Sequence, residues 1–466
     1  MKSEIRNDKQ QMTNLNLRIP VLSFVLCCLI LPVSCRTSES PLPSRGTKPN
    51  FVFILADDLG YGDLSCYGAP DIKTPNLDRL AAEGVRFTQF YANGPVCTPT
   101  RCGLMTGRYQ QRYGLEWAIP PSTHGPGLPP AERLLPRLLR DAGYATAMAG
   151  KWHLGYEPPQ QPNAHGFGRF FGLLSGNHDY FAHREITGDP DLYLDGREVE
   201  REGYSTHLIT RHALEFMAGM KDRPFFLYVA YNAPHFPMQG PEDRDVRPAP
   251  KTWNHGTRET FVKMVEAMDA GIGEILAALE QEGLAKNTLV VFTSDNGGDT
   301  LARNAPLRDK KGTLWEGGIR APCIARRPGR IPAGSTTAQV GITMDWTRTF
   351  VNVAGAKFPE DRSPDGIDLG PVIDGRASPA PRTLFWRRFP PTGEPTHRAA
   401  RDGDWKYLED LKTGKGSLFN LAKDVGESDD LAVSRPERAA AMRRLVDAWE
   451  KVVDPPLYPE NLPGKR

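Results

Sequence analysis

The segment NFVFILADDLGYG, residues 50–62, joins a continuous apolar run to two adjacent aspartates, Asp57 and Asp58. Such a run is typical of a strand that is buried on both faces of a parallel sheet. Residues 74–83 follow with a capping threonine, an early proline and helical spacing of apolar residues, which predict a helix. Strand followed by helix indicates an α/β fold, in which sites form at the carboxyl ends of the strands.

Three further apolar segments also end in polar side chains of the kinds that bind metals or transfer protons. They are residues 144–148 before Lys151 and His153, residues 225–231 before His235, and residues 288–293 before Asp295 and Asn296. A further strand is predicted at residues 85–91 and a helix at residues 134–142. Amphipathic helices are predicted at residues 205–217 and 257–282. Because parallel strands end at one edge of a sheet, we expect the four polar groups to form a single site. The predicted fold is a large mixed, mostly parallel sheet flanked by helices.

The pattern changes after about residue 370, where short strand candidates replace the alternation of strand and helix. They lie at residues 383–387, 405–408 and 417–421, and a charged helix is predicted over residues 436–452. Short consecutive strands with one helix are typical of an α+β unit with an antiparallel sheet. We therefore divide the chain into a catalytic domain, residues 49–370, and a small C-terminal domain, residues 371–466.

The N-terminal residues are predicted to be a processing segment. Basic residues precede an apolar stretch at 19–33, which is the layout of a secretory signal over residues 1–35. Residues 36–48 are rich in serine, proline and arginine and predict a linker. Cys35 follows Leu-Pro-Val-Ser, so it is either lipidated, as in bacterial lipoproteins, or the signal is simply cleaved. We expect export to the bacterial periplasm or outer membrane, or secretion.

The formal net charge of +2 offers no general attraction to nucleic acid or to an anionic membrane. We therefore expect no nucleic-acid partner, and membrane contact only through a lipid on Cys35. Downstream of the signal the chain keeps four cysteines, which are Cys66, Cys97, Cys102 and Cys323. Four cysteines are too few for a disulfide scaffold, and their spacing does not match a zinc site.

The segment CTPTRCGLMTGR, residues 97–108, is the most specific motif of the chain. It resembles the signature of the sulfatase family, Cys-x-Pro-x-Arg followed by Thr-Gly-Arg. Further blocks that resemble the family, in its order, are DDLGYG at 57–62, TPNLD at 74–78, GKWHLG at 150–155, APH at 233–235, SDNG at 294–297 and KGTLWEGG at 311–318. A lone cysteine is more often a buried structural residue. The complete motif instead implies a sulfatase with an alkaline-phosphatase-like fold.

In the sulfatase family a maturation enzyme oxidises the signature cysteine to formylglycine, so the resemblance implies that Cys97 is the precursor of the nucleophile. A hydrated aldehyde carries two hydroxyls. One attacks sulfur, and the other loses its proton so that sulfate can leave. A hard cation would acidify the hydroxyl, and its ligands are expected to be Asp57, Asp58, Asp295, Asn296 and residue 97. The resemblance implies Ca²⁺, and oxygen ligands equally allow Mg²⁺.

The other charged residues of the motifs are expected to bind sulfate or to transfer protons. Arg101 lies one helical turn after Cys97, where its charge would favour an anionic nucleophile. By resemblance, Lys151 and Lys311 clamp the sulfate, His153 assists the elimination step and His235 is the general acid for the leaving alcohol. His178 and Asp179 lie where related sulfatases place substrate contacts. We expect one of them to line the pocket, and an ordinary polar loop is an equally good interpretation.

The expected substrate is a sulfated carbohydrate or an aryl sulfate, and two alternatives are open. One is a phosphodiesterase or phosphonate monoester hydrolase of the same superfamily. Those sites hold two metals and a Ser or Thr nucleophile, whereas this chain offers Cys97 and lysines near one set of oxygen ligands. The other alternative is a protein that binds sulfated glycans without turnover, if Cys97 is not oxidised.

Overall fold

The fold was analysed in a computed structural model that describes residues 48–121, 125–220 and 222–462. The predicted signal and nearly all of the predicted linker, including Cys35, lie outside these residues. Within them, none of the helices combines the length and the apolar character needed to cross a membrane. The strands of the described residues, in chain order, are β1 (Asn50–Ala56), β2 (Val85–Phe87), β3 (Phe90–Tyr91), β4 (Ala145–Gly150), β5 (Arg169–Gly172), β6 (Tyr193–Leu194), β7 (Arg197–Glu198), β8 (Phe225–Ala230), β9 (Thr288–Ser294), β10 (Cys323–Arg326), β11 (Ser335–Thr337), β12 (Gly341–Ile342), β13 (Thr383–Arg388), β14 (His397–Asp402), β15 (Trp405–Asp410) and β16 (Lys415–Asn420).

The α-helices of the same residues lie between and after these strands. They are α1 (Pro75–Ala82), α2 (Cys97–Thr106), α3 (Leu135–Asp141), α4 (Ser205–Ala218), α5 (Arg258–Gln281), α6 (Glu316–Ile319), α7 (Asp345–Ala354), α8 (Gly370–Ile373) and α9 (Pro436–Val453). Short 3-10 turns occur in several of the loops. Helices α1, α3, α4, α5 and α9 match the predicted helical segments to within a few residues.

Strand β1 lies at the centre of a ten-stranded sheet with the order β11-β2-β10-β9-β1-β8-β4-β5-β6-β7. Strands β9, β1, β8, β4 and β5 are parallel, and β10, β6 and β7 pair antiparallel. The buried parallel centre explains why β1, β8 and β9 are continuous apolar runs. The structure therefore confirms the predicted mixed, mostly parallel sheet.

Helices cover both faces of the large sheet, and the alternation of side chains along β1 separates the two layers. Phe51 and Phe53 point into a core that includes Phe350 of α7 and residues of α2 and α3. Val52 and Ile54 point to the opposite face, where α1, α4 and α5 pack. Successive side chains of a strand point to opposite faces, so one apolar run supplies both cores.

The last part of the chain forms the predicted antiparallel sheet, with the order β13-β14-β15-β16 and helix α9 packed against it. Trp386 and Trp449 from this unit share a core with Tyr91 and Ile342 of the preceding part of the chain. The indole of Trp386 donates a hydrogen bond to the carbonyl of Ala92 at 2.9 Å. The sheet begins at Thr383, and the domain boundary at residue 370 stays a prediction.

Residues 85–91, which we expected to form one strand, form two. Strand β2 pairs with β10 and β11 in the large sheet, whereas β3 pairs with β12 in a separate two-stranded sheet. The chain changes partner at Thr88, whose amide donates to Thr337. Strand propensity is high throughout the segment, so only the identity of the partners reveals the break.

Candidate active site

The four strands whose ends carry polar residues are neighbours in the sheet, in the order β9-β1-β8-β4. The ladder continues just beyond the strands. The amide of Asp57 donates to Ala233, that of Asp295 to Ala56 and that of Lys151 to Ala230, at 3.1, 3.1 and 2.7 Å. These bonds hold the polar residues side by side along the sheet. The four polar groups therefore lie at one edge of the sheet, as the sequence predicts.

Cys97 is the first residue of helix α2 and is 2% exposed. Its Sγ donates to Oδ1 of Asp57 at 3.3 Å and accepts from Nζ of Lys151 at 3.4 Å. Burial, together with the carboxylates of Asp295 and Asp57, raises the pKa of the thiol well above its ordinary value. Position 97 is therefore enclosed by charged partners, yet the encoded thiol stays protonated and is a poor nucleophile.

Arg101 lies one turn further along α2 and is completely buried. Its Nε and Nη2 donate to Oδ2 of Asp295 at 3.1 and 2.9 Å, and Nη2 also lies 3.3 Å from Oδ2 of Asp57. Its Nη1 donates to the carbonyl of Lys151 at 2.6 Å. One guanidinium thus connects the ends of β1, β9 and β4, and it orients the carboxylates around Cys97.

Several oxygen donors that suit a hard cation meet at this edge. The ligand atoms of Asp57, Asp58, Cys97 and His235 all lie within 4.8 Å of one another. Nδ2 of Asn296 donates to Oδ1 of Asp58 at 2.7 Å, while its buried Oδ1 has no hydrogen-bond partner among the described residues. A lone buried oxygen beside carboxylates is the donor chemistry that a divalent cation accepts. These residues therefore fit a divalent metal.

Asp295 lies beside this group, because its Oδ1 accepts from the amide of Asp58 at 3.3 Å. Burial and the nearby carboxylate of Asp57 raise the pKa of Asp295 to about 6. Asp58 has a φ of +64°, in the left-handed region that residues other than glycine seldom adopt. Such strain is typical of functional sites.

Lys151 and Lys311, the predicted sulfate clamps, contact the carboxylates of the same cluster. Nζ of Lys311 donates to Oδ2 of Asp58 at 2.6 Å, and Nζ of Lys151 contacts Oδ2 of Asp57. Although burial opposes it, the ammonium of Lys311 holds the pKa of Asp58 well below its ordinary value. The two cations would repel a second metal beside these carboxylates.

His235 and His153 approach the cluster from β8 and β4. Nε2 of His235 lies 3.5 Å from Oδ2 of Asp58, and its Nδ1 lies 2.7 Å from the carbonyl of Phe236. Nε2 of His153 lies 2.9 Å from the carbonyl of Ile119, which leaves Nδ1 buried and without a partner among the described residues. Burial lowers the pKa of His235 to about 3 and that of His153 well below its ordinary value. Both rings are therefore neutral here.

His178 and Asp179 use their polar atoms inside their own loop. Nδ1 and Nε2 of His178 lie 3.0 and 2.8 Å from the carbonyl of Asp191 and the hydroxyl of Ser205. The carboxylate of Asp179 accepts from two following amides and from Gln239. Among the described residues, neither side chain is hydrogen-bonded to the cluster around Asp57. Their role in substrate binding stays a prediction.

Two residues that hold the site in place were missed by sequence reasoning. The hydroxyl of Thr98 donates to the carbonyl of His153 at 3.0 Å and accepts from the amide of Ile119 at 3.2 Å. The hydroxyl of Tyr180 lies 2.9 Å from the carbonyl of His235. Thr98 lies inside the signature motif, which was a usable signal, whereas nothing in the sequence near Tyr180 indicates its partner.

Comparison with known proteins identifies the family. The family model described as Sulfatase matches residues 49–356. The chain is 38% identical over 447 residues to N-acetylgalactosamine-6-sulfatase of Sus scrofa, an alignment that covers 85% of this chain and 84% of the relative. It is 36% identical over 451 residues to arylsulfatase A of Homo sapiens, with 85% and 87% covered.

A solved structure with the same fold is that of Ps i-CgsB in complex with k-i-k-neocarrahexaose. It superimposes with a TM-score of 0.80 at 34% identity, over 88% of this chain and 95% of that chain. The family model, the relatives and the solved structure indicate the same family. The chain therefore belongs to the sulfatase family and is a sulfuric ester hydrolase.

Proposed function

We propose that this enzyme removes sulfate from sulfated carbohydrates, with a formylglycine made from Cys97 as the nucleophile and with Ca²⁺ as the metal. The observation that carries the proposal is the position of Cys97. It begins a buried helix within hydrogen-bond distance of both a carboxylate and an ammonium group, Asp57 and Lys151. A formylglycine hydrate at this position would offer one hydroxyl to attack sulfur and a second whose deprotonation releases sulfate.

The charges around position 97 suit an anionic substrate. Three carboxylates, Asp57, Asp58 and Asp295, are matched by three cations, Arg101, Lys151 and Lys311, all within one network of contacts. A divalent cation held by the aspartates and Asn296 would therefore leave a surplus of positive charge, which would bind the sulfate and acidify a hydroxyl at residue 97. The lysines then favour a site with one metal, which argues against a two-metal phosphodiesterase.

The two histidines are placed for opposite proton transfers. Nδ1 of His153 is a buried acceptor without a partner among the described residues, which suits the removal of a hydroxyl proton. His235 is neutral because burial and Lys311 lower its pKa to about 3. A bound sulfate ester adds negative charge beside Nε2, which would raise this pKa and allow His235 to protonate the leaving alcohol.

The names of the relatives support the proposed substrate class. One relative is named N-acetylgalactosamine-6-sulfatase, and the similar solved structure is a complex with k-i-k-neocarrahexaose. A predicted export signal would place the enzyme in the periplasm or outside the cell, where sulfated polysaccharides and their fragments are encountered. A maturation enzyme that oxidises Cys97 is the partner that this proposal requires.

Mass spectrometry of the peptide that contains Cys97 tests the nucleophile. Protein made together with a formylglycine-generating enzyme should carry the aldehyde at position 97 and should hydrolyse sulfate esters. Cys97→Ala should abolish turnover, whereas Cys102→Ala, a change to another buried cysteine of the same motif, should retain it. Active protein with an unmodified thiol at position 97 would refute the formylglycine mechanism.

Calorimetric titration with Ca²⁺ and Mg²⁺ tests the metal. Asn296→Ala should weaken Ca²⁺ binding and turnover together, because it removes the unpartnered oxygen. Asp299→Asn is the matched control, since this nearby acid is partly exposed and pairs with Lys310. Equal Ca²⁺ affinity of the Asn296 variant and the parent enzyme would contradict the assigned ligand. A phosphate diester in the same turnover assay should react much more slowly than a sulfate ester.

A further inference from the structure

Arg388 and Trp117 lie against the loop that carries Lys311. Nε of Arg388, the last residue of β13, donates to the carbonyl of Gly312 at 2.5 Å. Its guanidinium carbon lies 5.2 Å from the centre of the Trp117 ring. A Cβ placed on Gly312 would lie 4.0 Å from the same ring. The two side chains therefore meet over the residue that follows the predicted sulfate clamp.

Backbone contacts connect Arg388 and Trp117 with the residues around Cys97. The amide of Gly312 donates at 2.8 Å to the carbonyl of Pro95, which precedes Cys97 by two positions. Trp117 lies two positions before Ile119, and the carbonyl of Ile119 contacts the ring of His153. Cys97 is buried, whereas Trp117 and Arg388 are each partly exposed. The pair thus lies on the outer side of the site.

The charge of Arg388 is not neutralised by the protein. Its hydrogen bonds go to neutral acceptors, the carbonyl of Gly312 and the hydroxyl of Thr396, and among the described residues no carboxylate lies within ion-pair distance. Its neighbour Arg387, in contrast, pairs with Glu116 and Asp454. Burial without a compensating carboxylate lowers the pKa of Arg388. A partly buried cation of this kind is favourable only if an anion is supplied.

Trp117 offers the complementary surface for a sugar. Its indole is partly exposed, and its N–H has no acceptor in the part of the chain that the structure describes. An indole combines a broad apolar face with one donor, which suits the CH groups and a hydroxyl of a pyranose ring. The ring also makes a cation–π contact with the Arg388 guanidinium.

We propose that Arg388 and Trp117 form a subsite for a second sugar unit, next to the unit that loses its sulfate. The ring of that second sugar packs on Trp117, and Arg388 binds an anionic substituent on it, a sulfate or a carboxylate. The preferred substrate is therefore an oligosaccharide with a negative charge on adjacent units. This inference rests on the proposed function, because it takes Lys311 to bind the scissile sulfate.

The test compares substrates that do and do not reach the subsite. Turnover is measured with 4-nitrophenyl sulfate and with defined galactan and glycosaminoglycan oligosaccharides that carry a sulfate, a carboxylate or no charge on the neighbouring unit. Arg388→Met should lower kcat/KM for the charged oligosaccharides about 10- to 100-fold, mainly through KM, as expected for one lost charge-assisted hydrogen bond. It should change kcat/KM for the aryl sulfate by less than about threefold. Arg376→Met, which alters a solvent-facing arginine paired with Asp374, is the control.

Trp117 is tested separately because its role is to support the ring. Trp117→Phe should keep most of the oligosaccharide activity, because an aromatic ring remains. Trp117→Ala should lower kcat/KM for the oligosaccharides about tenfold or more, since the sugar ring loses the surface on which it packs. Equal losses on aryl sulfate and oligosaccharide for Arg388→Met would show that Arg388 only supports the Lys311 loop, and would overturn the subsite. No loss on any charged oligosaccharide would overturn it as well.

Direct binding separates this inference from the proposed function. In the inactive Cys97→Ala protein, Arg388→Met should weaken the calorimetric affinity for the charged oligosaccharides by the same factor. If the parent enzyme turns over neither class of substrate, the proposed function fails. The binding measurement then decides the subsite alone, because unchanged affinity would refute it and weakened affinity would support it.

Discussion

Replacing Lys406 tests the part of the structure that joins the C-terminal sheet to the loop of the active site. Nζ of Lys406 is completely buried and lies 2.9 Å from Glu316 and 2.7 Å from Glu427. The carboxylate of Glu427 also accepts from the amide of Glu316 at 2.7 Å. Glu316 begins the short helix α6, which ends the KGTLWEGG segment. One ammonium group therefore forms ion pairs with two carboxylates from different parts of the chain.

Lys406→Met keeps much of the volume and removes the charge. Glu316 retains Arg320 at 3.1 Å, whereas among the described residues Glu427 retains no cation. An uncompensated buried carboxylate costs about 3–5 kcal/mol, so we expect the free energy of unfolding to fall by about that amount near pH 8. The double variant Lys406→Met/Glu427→Gln should recover about 2 kcal/mol or more, because an amide needs no counter-charge.

The loss should also depend on pH. Burial raises the pKa of Glu427 above its ordinary value even though Lys406 opposes the shift, and the pKa rises further when the ammonium is removed. The folded state then binds a proton more tightly than the unfolded state. The destabilisation is therefore smallest near pH 4.5, the ordinary pKa, and grows as the pH rises towards the folded pKa. The double variant should show no such dependence.

The measurement is equilibrium unfolding in urea at pH 5 and pH 8, followed by tryptophan fluorescence. Lys423→Met, at an exposed position of the same unit, is the matched control and should change the free energy of unfolding by less than about 0.5 kcal/mol. A loss below about 1 kcal/mol for Lys406→Met, or one that is the same at both pH values, would refute the charge argument.

Three further predictions concern the site and its surroundings. His235→Ala should reduce kcat for sugar sulfates by about 10²- to 10⁴-fold and for aryl sulfates far less, because aryl alcohols leave without protonation; equal losses would argue against a general acid. Gly297→Ala should cost about 1–3 kcal/mol of unfolding free energy and weaken metal binding, since its Cβ would lie 1.8 Å from the carbonyl of Gly317; an unchanged Ca²⁺ affinity would contradict this. His165 has a pKa lowered by burial to about 4, so the unfolded chain takes up its proton first as the pH falls below 6.5. The parent enzyme should therefore lose about 2 kcal/mol more between pH 7 and pH 5 than His165→Gln, and parallel stability curves would disprove the assignment.

The strands differ in how far their own sequence predicts them. Strands β1, β8 and β9 were predicted within a residue or two, because strands buried on both faces need apolar residues at every position. Strand β14, His397–Asp402, was missed because its sequence HRAARD is mostly polar. Arg398 is buried there, and its charge is balanced by carboxylates of other elements, Glu409, Asp447 and Glu450. A buried charge can be predicted only when its partner is known.

The sequence by itself determined the α/β class, the family and the residues gathered at the sheet edge. The sequence was sufficient because the ends of parallel strands lie side by side at one edge of the sheet. A residue that directly follows such a strand is therefore found at that edge. Only the tertiary structure decided the contacts between those residues: Lys311 against Asp58, Arg101 across Asp57 and Asp295, and Arg388 over Gly312. These contacts join side chains far apart in the chain, and their energies depend on burial and on the charges of partners that the local sequence does not specify.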